Sequence, residues 1–170
     1  MSETEDILSS APMGEVTMVN DALQVIFHRR YNRSVEKVWA AITTPERLAD
    51  WLANAEIEMK VGGAIRLNWF GRSLMVGQVV ALDPPHIFAW TWPHDSHPES
   101  VVRWELEPEG DGCRLTLTQT GLTGPSLLGV ASGWHIHLEG LARAAESIPT
   151  PWRAEREREI VKLYESRSPA

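Results

Sequence analysis

The chain has 170 residues, a formal net charge of −7 and a single cysteine, Cys113. This length predicts one domain with short extensions, and the acidic balance argues against a nucleic-acid binder that works through bulk electrostatics. A single cysteine excludes an intramolecular disulfide and a CxxC metal site. No apolar run is long enough to cross a membrane, and the acidic N-terminus lacks the features of a signal peptide, so we expect a cytoplasmic protein.

The first third of the chain predicts a leader, a strand and two short helices. Residues 1–20 are polar and acidic, which is typical of a flexible leader. Apolar and polar side chains then alternate with strand spacing as far as Tyr31. Ser34 is a candidate N-cap for a helix with apolar residues at i, i+3, i+4 and i+7, and Thr44-Pro45 suits the start of a second short helix.

The next stretch predicts six strands, because apolar residues alternate with polar ones between turns that are rich in glycine and proline. Strands that are joined by such short turns imply an antiparallel meander. The predicted strands are Ile57–Met59, Ile65–Trp69, Leu74–Leu82, Phe88–Trp92, Val102–Leu106 and Arg114–Thr118.

After the last strand the apolar period becomes that of a helix. Residues 127–148 carry one apolar stripe and predict a long amphipathic helix, in which Gly129 and Gly133 let the helix approach the sheet or bend. Glu139 and Arg143 lie on the opposite face, four residues apart, as an exposed ion pair would. We therefore divide the chain into a flexible acidic leader at 1–20, a domain at 21–148 and a tail with one short, mostly exposed helix at 149–170.

This order, β-α-α-β(6)-α, predicts an α+β fold in which the long helix covers the one apolar face of a curved antiparallel sheet. Aromatic residues at strand spacing are most often plain core. However, eight Trp are hard to pack without gaps or unpaired N–H groups, which favours a cavity between sheet and helix that would suit a small molecule. The predicted ligand-binding residues are Trp69, Phe88, Trp90, Trp92, Trp104, Trp134, His137 and Leu138.

An ordered series of short motifs runs through residues 22 to 148. It consists of Val38-Trp39, Thr44-Pro45-Glu46-Arg47-Leu48 with Trp51, Val61-Gly62-Gly63, Pro84-Pro85 before Phe88-Ala89-Trp90-Thr91-Trp92, Arg114-Leu115-Thr116-Leu117-Thr118, and Gly133-Trp134 with Leu138 and Leu141. With this series the chain resembles the START-like (SRPBCC) helix-grip superfamily. It is most similar to the bacterial branch that resembles the C-terminal domain of the heat-shock protein 90 ATPase activator.

The resemblance implies a helix-grip fold, also called Bet v 1-like, with a cavity between the sheet and the long C-terminal helix. It does not imply a single activity. Relatives bind lipids, sterols, plant hormones or polyketides, a few cyclise polyketides, and one branch contacts a chaperone. The fold alone therefore does not choose among these functions.

Two groups of histidines are candidates for chemistry. The loop from His94 to Glu99 holds two His, one Asp and one Glu, yet no distant partner motif supports a metal site, and we interpret it as a polar turn. His135 and His137 lie about 200° apart on a helix, so they cannot chelate one ion together. We place His137 beside the apolar stripe, as a core or rim residue or as a ligand contact, and His135 nearer the polar flank.

The other candidates are interpreted as structural. Strand alternation places Arg66, Arg103 and Arg114 outside the sheet, and only an inward turn of Arg66 or Arg103 would let it bind a ligand carboxylate. Cys113 has no base or cation close in sequence, as a nucleophile would need. No nucleotide-binding or hydrolase motif is present, and we predict no catalytic residue, no metal and no cofactor.

Three functions are open at this point. The first is non-covalent binding of a small hydrophobic or aromatic ligand, lipid-like or polyketide-like, in the cavity. The second is a cyclase- or hydrolase-type enzyme, which needs His137 to converge with Arg103 or Glu105 in the same cavity. The third is a chaperone-cofactor-like or other interaction module that binds a protein partner through residues 152–164. A homodimer is also compatible with the sequence.

Overall fold

The computed structural model describes residues 13–69, 74–94, 100–145 and 154–167. Within these ranges the chain forms eight strands and four helices. In chain order they are β1 (Glu15–Val19), β2 (Ala22–Tyr31), α1 (Val35–Thr43), α2 (Pro45–Trp51), β3 (Asn54–Ile57), β4 (Ala64–Asn68), β5 (Leu74–Asp83), β6 (Ile87–Thr91), β7 (Val101–Glu109), β8 (Gly112–Leu122), α3 (Gly124–Ala144) and α4 (Ala154–Arg167). None of the described helices is long and apolar enough to span a membrane.

All eight strands belong to one antiparallel sheet, in the order β1-β2-β8-β7-β6-β5-β4-β3. Because β2 and β3 lie at opposite sides of this sheet, α1 and α2 carry the chain from one side to the other. The strands from β3 to β8 then follow one another as neighbours, in the meander that the short turns predict. The long helix α3 packs with the inner face of the sheet in one buried core. The predicted α+β helix-grip fold is confirmed, with β3–β8 as its six strands.

The first strand, β1, lies where the sequence analysis expects a flexible leader. It pairs with β2 from Glu15 to Val19, and a two-residue turn at Asn20 and Asp21 joins the two strands. Both turn residues have positive φ, 50° and 64°, which Asn and Asp tolerate better than other side chains. Every residue of β1 is exposed, including its apolar residues Val16, Met18 and Val19, so the strand is held by its pairing with β2 and not by burial of its side chains.

The two short helices are joined to each other and to the core through Trp51. Ser34 caps α1 as predicted, since its side chain accepts a hydrogen bond from the backbone N–H of Lys37. The indole N–H of Trp51 donates to the carbonyl oxygen of Ala41 at 2.8 Å. A Cβ atom at Gly140 would lie 3.2 Å from the Cβ of Trp51, so this glycine lets α3 approach α2 closely.

The last helix, α4, packs on α3 through Ile160 and Tyr164, which are both buried. The Tyr164 hydroxyl oxygen accepts a hydrogen bond from the backbone N–H of Gly14 at 2.9 Å and lies 2.8 Å from Nδ1 of His135. These two apolar side chains therefore pack within the chain, and a partner surface at residues 152–164 stays a prediction. Residues 151–153 lie outside the described part of the chain.

Two side-chain predictions for α3 are wrong because α4 covers the flank that they were placed on. His135 is fully buried rather than near a polar surface, and its ring meets the rings of Phe27 and Tyr164 edge to face. Glu139 binds Arg156 of α4, with 2.9 Å between Arg156 Nε and Glu139 Oε2, instead of forming an exposed pair with Arg143.

The glycines of α3 give a test of helix packing. We expect Gly140→Leu to lower the free energy of unfolding by about 2 kcal/mol, because the new side chain must displace Trp51. Gly129→Ala is the matched control in the same helix. A Cβ at Gly129 meets no atom within 4 Å, so alanine should raise stability by about 1 kcal/mol through helix propensity. Urea unfolding of both variants measures the two changes in the free energy of unfolding. A change of the same sign in both variants would contradict the close packing of Gly140 against Trp51.

His135 gives a pH dependence of stability. Its burial, followed by the charges of Arg29 and Arg156, lowers its pKa to about 4. The unfolded chain therefore binds a proton at His135 near pH 6.5, whereas the folded chain binds it only near pH 4. Because protonation favours the unfolded state, the free energy of unfolding falls as the pH drops between these values.

Between pH 7 and pH 4.5 this single group should lower the free energy of unfolding by about 2 kcal/mol. Urea unfolding at both pH values measures the loss, and His135→Gln is the control because an amide oxygen still accepts a hydrogen bond from Tyr164 but does not titrate. We expect a smaller loss in the variant, and an unchanged loss would exclude His135 as its source.

Candidate functional site

A cavity of about 200 Å³, partly open to solvent, lies between α3 and one end of the sheet. Its walls come from the ends of α2, β4 and β6, from the inner face of β8, and from the first half of α3. The described residues that line it are Leu52, Trp69, Trp92, His94, Gln119, Gly129, Val130, Gly133, Trp134 and His137.

Three indole rings form a continuous aromatic wall of this cavity. The ring centroids of Trp69 and Trp92 are 5.6 Å apart, and those of Trp92 and Trp134 are 5.5 Å apart at an angle of 78°. Trp69 and Trp92 follow β4 and β6, which are separated by β5. They meet because Gly77 of β5 leaves room for the end of β6, since a Cβ there would lie 2.0 Å from the carbonyl oxygen of Thr91.

One buried amide holds the third indole in place. Gln119 on β8 accepts a hydrogen bond from Nε1 of Trp134 at 2.6 Å and donates one from Nε2 to the hydroxyl of Ser100 at 2.8 Å. The side chain of Gln119 is 2% exposed, so these bonds are made in an environment where water does not compete. Sequence reasoning missed this residue, although it has the same strand parity as the inward-facing Leu115 and Leu117.

His137 supplies a neutral imidazole at the cavity. Its Nδ1 lies 2.9 Å from the carbonyl oxygen of Trp51, and because a carbonyl can only accept, Nδ1 carries the proton. In the neutral ring Nε2 is then an acceptor. Burial lowers the pKa of His137, so the ring is uncharged at neutral pH. The wall of the cavity therefore contains an imidazole that carries no charge at neutral pH.

Gly129 and Gly133 make room for the cavity and do not bring α3 close to the sheet. A Cβ atom added at either position would meet nothing within 4 Å. The close approach that the sequence predicts for these two glycines occurs at Gly140 instead. The first half of α3 thus leaves space beside these two glycines, and the second half contacts α2 at Gly140.

The structure divides the eight predicted ligand-binding residues into two layers. Those that line the cavity are Trp69, Trp92, Trp134 and His137. Those that are fully buried in the core and do not line it are Phe88, Trp90, Trp104 and Leu138. The two layers touch, since the ring centroids of Trp104 and Trp134 are 5.5 Å apart. The indole nitrogens of Trp90 and Trp104 are buried without a hydrogen-bond partner in the described part of the chain.

The polar residues that an enzyme in this cavity would need do not converge on His137. Arg103 and Glu105 pair with each other at 3.2 Å on the outer face of the sheet, where both side chains are about two-fifths exposed. Arg66 and Arg114 are also exposed. Cys113 is buried, and burial raises the pKa of its thiol to about 11, which keeps it protonated at neutral pH.

The predicted metal loop lies mostly outside the described residues, which end at 94 and resume at 100. Among the residues that are described, no three His, Cys, Asp or Glu side chains come together in a way that could hold a metal ion. His94, which the sequence analysis treats only as part of that loop, lines the cavity beside Trp92.

Known structures share this architecture. CalU16 from Micromonospora echinospora aligns with a TM-score of 0.73 at 24% identity, over 90% of this chain and 94% of that chain. DynU16, from the dynemicin biosynthetic locus, aligns with a TM-score of 0.69 at 24% identity, over 76% of this chain and 49% of that chain. The Aha1 dimer from Colwellia psychrerythraea aligns with a TM-score of 0.64 at 22% identity, over 76% of this chain and 97% of that chain. At these identities the likeness concerns the fold.

The search of curated proteins gave no match. A family model does match, over residues 32–146, which is more than half of the chain; its description is Activator of Hsp90 ATPase homolog 1-like protein. This range begins after β2 and ends just beyond α3, so it contains every described residue that lines the cavity. The chain therefore belongs to the Activator of Hsp90 ATPase homolog 1-like family, within the START-like helix-grip superfamily.

Proposed function

We propose that the protein binds a small, uncharged aromatic molecule of one or two rings in the cavity under α3, without covalent chemistry. The observation that carries this proposal is the wall of three indoles, Trp69, Trp92 and Trp134, beside a space that Gly133 leaves open. Indole faces and edges attract aromatic rings in stacked and edge-to-face arrangements. A structural neighbour from a biosynthetic locus agrees with a role in handling small molecules.

The size of the cavity supports a small ligand. Its volume is about 200 Å³, which is below the roughly 300–1,000 Å³ of pockets that hold drug-sized ligands. A sterol or a long acyl chain would need the rings to move apart. The ligand class is therefore narrower than the lipid-like or polyketide-like molecules that the sequence analysis considers.

The polar groups of the cavity favour recognition over catalysis. His137 is a neutral imidazole bound to the carbonyl of Trp51, and Gln119 is held by Trp134 and Ser100. The partners that the enzyme hypothesis requires, Arg103 and Glu105, bind each other on the outer face.

The first experiment is a titration that follows the indole N–H signals by NMR. We expect 2-naphthol to shift the signals of Trp69, Trp92 and Trp134 in a saturable way, because these rings line the cavity. Trp39 is the internal control, since it packs against Phe88 outside the cavity. Palmitate, which is too long for the space, should shift none of the three. Uniform small shifts of every indole would contradict a specific site.

A pair of substitutions at Gly133 tests the location. Gly133→Leu places a branched side chain in the open space and should weaken 2-naphthol binding at least about tenfold, which corresponds to 1.4 kcal/mol. Gly133→Ala is the matched control, because it gives the same gain in helix propensity but fills little of the cavity. Calorimetric titration of both variants measures the affinities. Equal affinity in the leucine variant and the parent would place the ligand elsewhere.

A further inference from the structure

Arg29 directs a positive charge towards the inside of the sheet. On β2 the inward-facing residues are Val25, Phe27, Arg29 and Tyr31, so the guanidinium lies in the apolar layer between β2 and the helices. Its Cζ is 5.4 Å from the centre of the Phe27 ring. Nη1 donates to the carbonyl oxygen of His28 at 2.9 Å, but Nη2 is buried and has no hydrogen-bond partner in the part of the chain that the structure describes.

Two more polar atoms of this layer are buried without a partner among the described residues, Nε2 of His135 and the hydroxyl of Tyr31. The His135 ring meets Phe27 edge to face, with 6.2 Å between the ring centroids. Arg29 and His135 therefore flank the same phenyl ring. Tyr31 is the next inward-facing residue of β2 after Arg29, so the three groups border one region between β2 and α3.

The hydrogen bonds around His135 make Nε2 a donor. The Tyr164 hydroxyl oxygen already accepts from the N–H of Gly14, and it lies 2.8 Å from Nδ1 of His135. When Tyr164 donates its own hydrogen to Nδ1, the neutral imidazole carries its proton on Nε2. Nη2 of Arg29 is a donor in every state, and the hydroxyl of Tyr31 can donate as well. The region is thus bordered by donors that need an acceptor.

The charges of this layer do not balance. Glu139 is the carboxylate whose charge acts on Arg29, but it is bound by Arg156 through Nε at 2.9 Å, with side-chain exposures of only 11% and 16%. Arg156 also binds Glu159, with 2.9 Å between Nη1 and Oε2, but that carboxylate is 64% exposed. Within the buried layer, two guanidinium groups therefore share one carboxylate among the described residues. A buried charge without a counter-charge is costly, and the Phe27 ring offsets only part of that cost.

We propose that Arg29, Tyr31 and His135 form a binding site for a small monovalent anion, of the kind represented by chloride, between β2 and α3. The anion would accept hydrogen bonds from the three unpartnered groups and balance the charge of Arg29. This site lies on the other side of α3 from the aromatic cavity, because His135 and His137 point in different directions from the helix. It does not depend on the proposed ligand.

The test measures chloride binding by the linewidth of the ³⁵Cl NMR signal of sodium chloride in the presence of the full chain. We expect broadening with the parent protein and with Arg66→Met, in which an exposed arginine of β4 is removed as a matched control. With Arg29→Met the linewidth should fall to that of protein-free buffer. Equal broadening in the two variants would overturn the proposal and leave surface binding as the source.

A second measurement needs no substitution and so holds even where Arg29→Met fails to fold. Chloride added to the parent protein should shift the imidazole signals of His135 in a saturable way and leave those of the exposed His28 unchanged. No shift at His135 would overturn the proposal, because ordinary buried water would then satisfy Arg29 and its neighbours.

Discussion

Trp51 is the point at which the helices and the sheet are held together. Its indole N–H binds the carbonyl of Ala41 in α1, its ring packs edge to face on Trp104 of β7, and its carbonyl accepts from His137 of α3. Gly140 of α3 lies against its Cβ. Because α3 is fixed here, near its C-terminal half, and carries glycines in its first half, the helix leaves a gap at its other end. The cavity lies beside those glycines.

The two sides of α3 have different chemistry for the same reason. On one side Trp134 and His137 face the aromatic cavity, where the polar groups are neutral. On the other side His135 and Glu139 face α4, which encloses them and turns an expected surface into a polar interior. Desolvation there lowers the pKa of His135 and of Arg29. One helix thus separates a cavity lined by indoles from a buried layer that contains charged groups.

Much of the site could be predicted from strand and helix periods. Strand alternation and the apolar stripe of α3 predict which side chains point inwards. Four of the predicted residues line the cavity, namely Trp69, Trp92, Trp134 and His137. Strand alternation also predicts that Gln119 points inwards, because it lies two residues after the inward-facing Leu117. A polar side chain at such a position is, however, easily assigned to the surface. Which of the inward Trp residues line the cavity could not be predicted, because that depends on how α3 packs against the sheet and α2.

The sequence by itself determined the order of the elements from β2 onwards, the antiparallel meander and the side of the sheet that is buried, because these follow from local periods and turn residues. Only the tertiary structure decided what lies on that buried side. The pairing of β1 with β2, the burial of His135 by α4 and the open space beside Gly133 all arise from contacts between segments far apart in the chain. A glycine has the same local signature whether it touches another helix, as Gly140 does, or faces empty space, as Gly133 does.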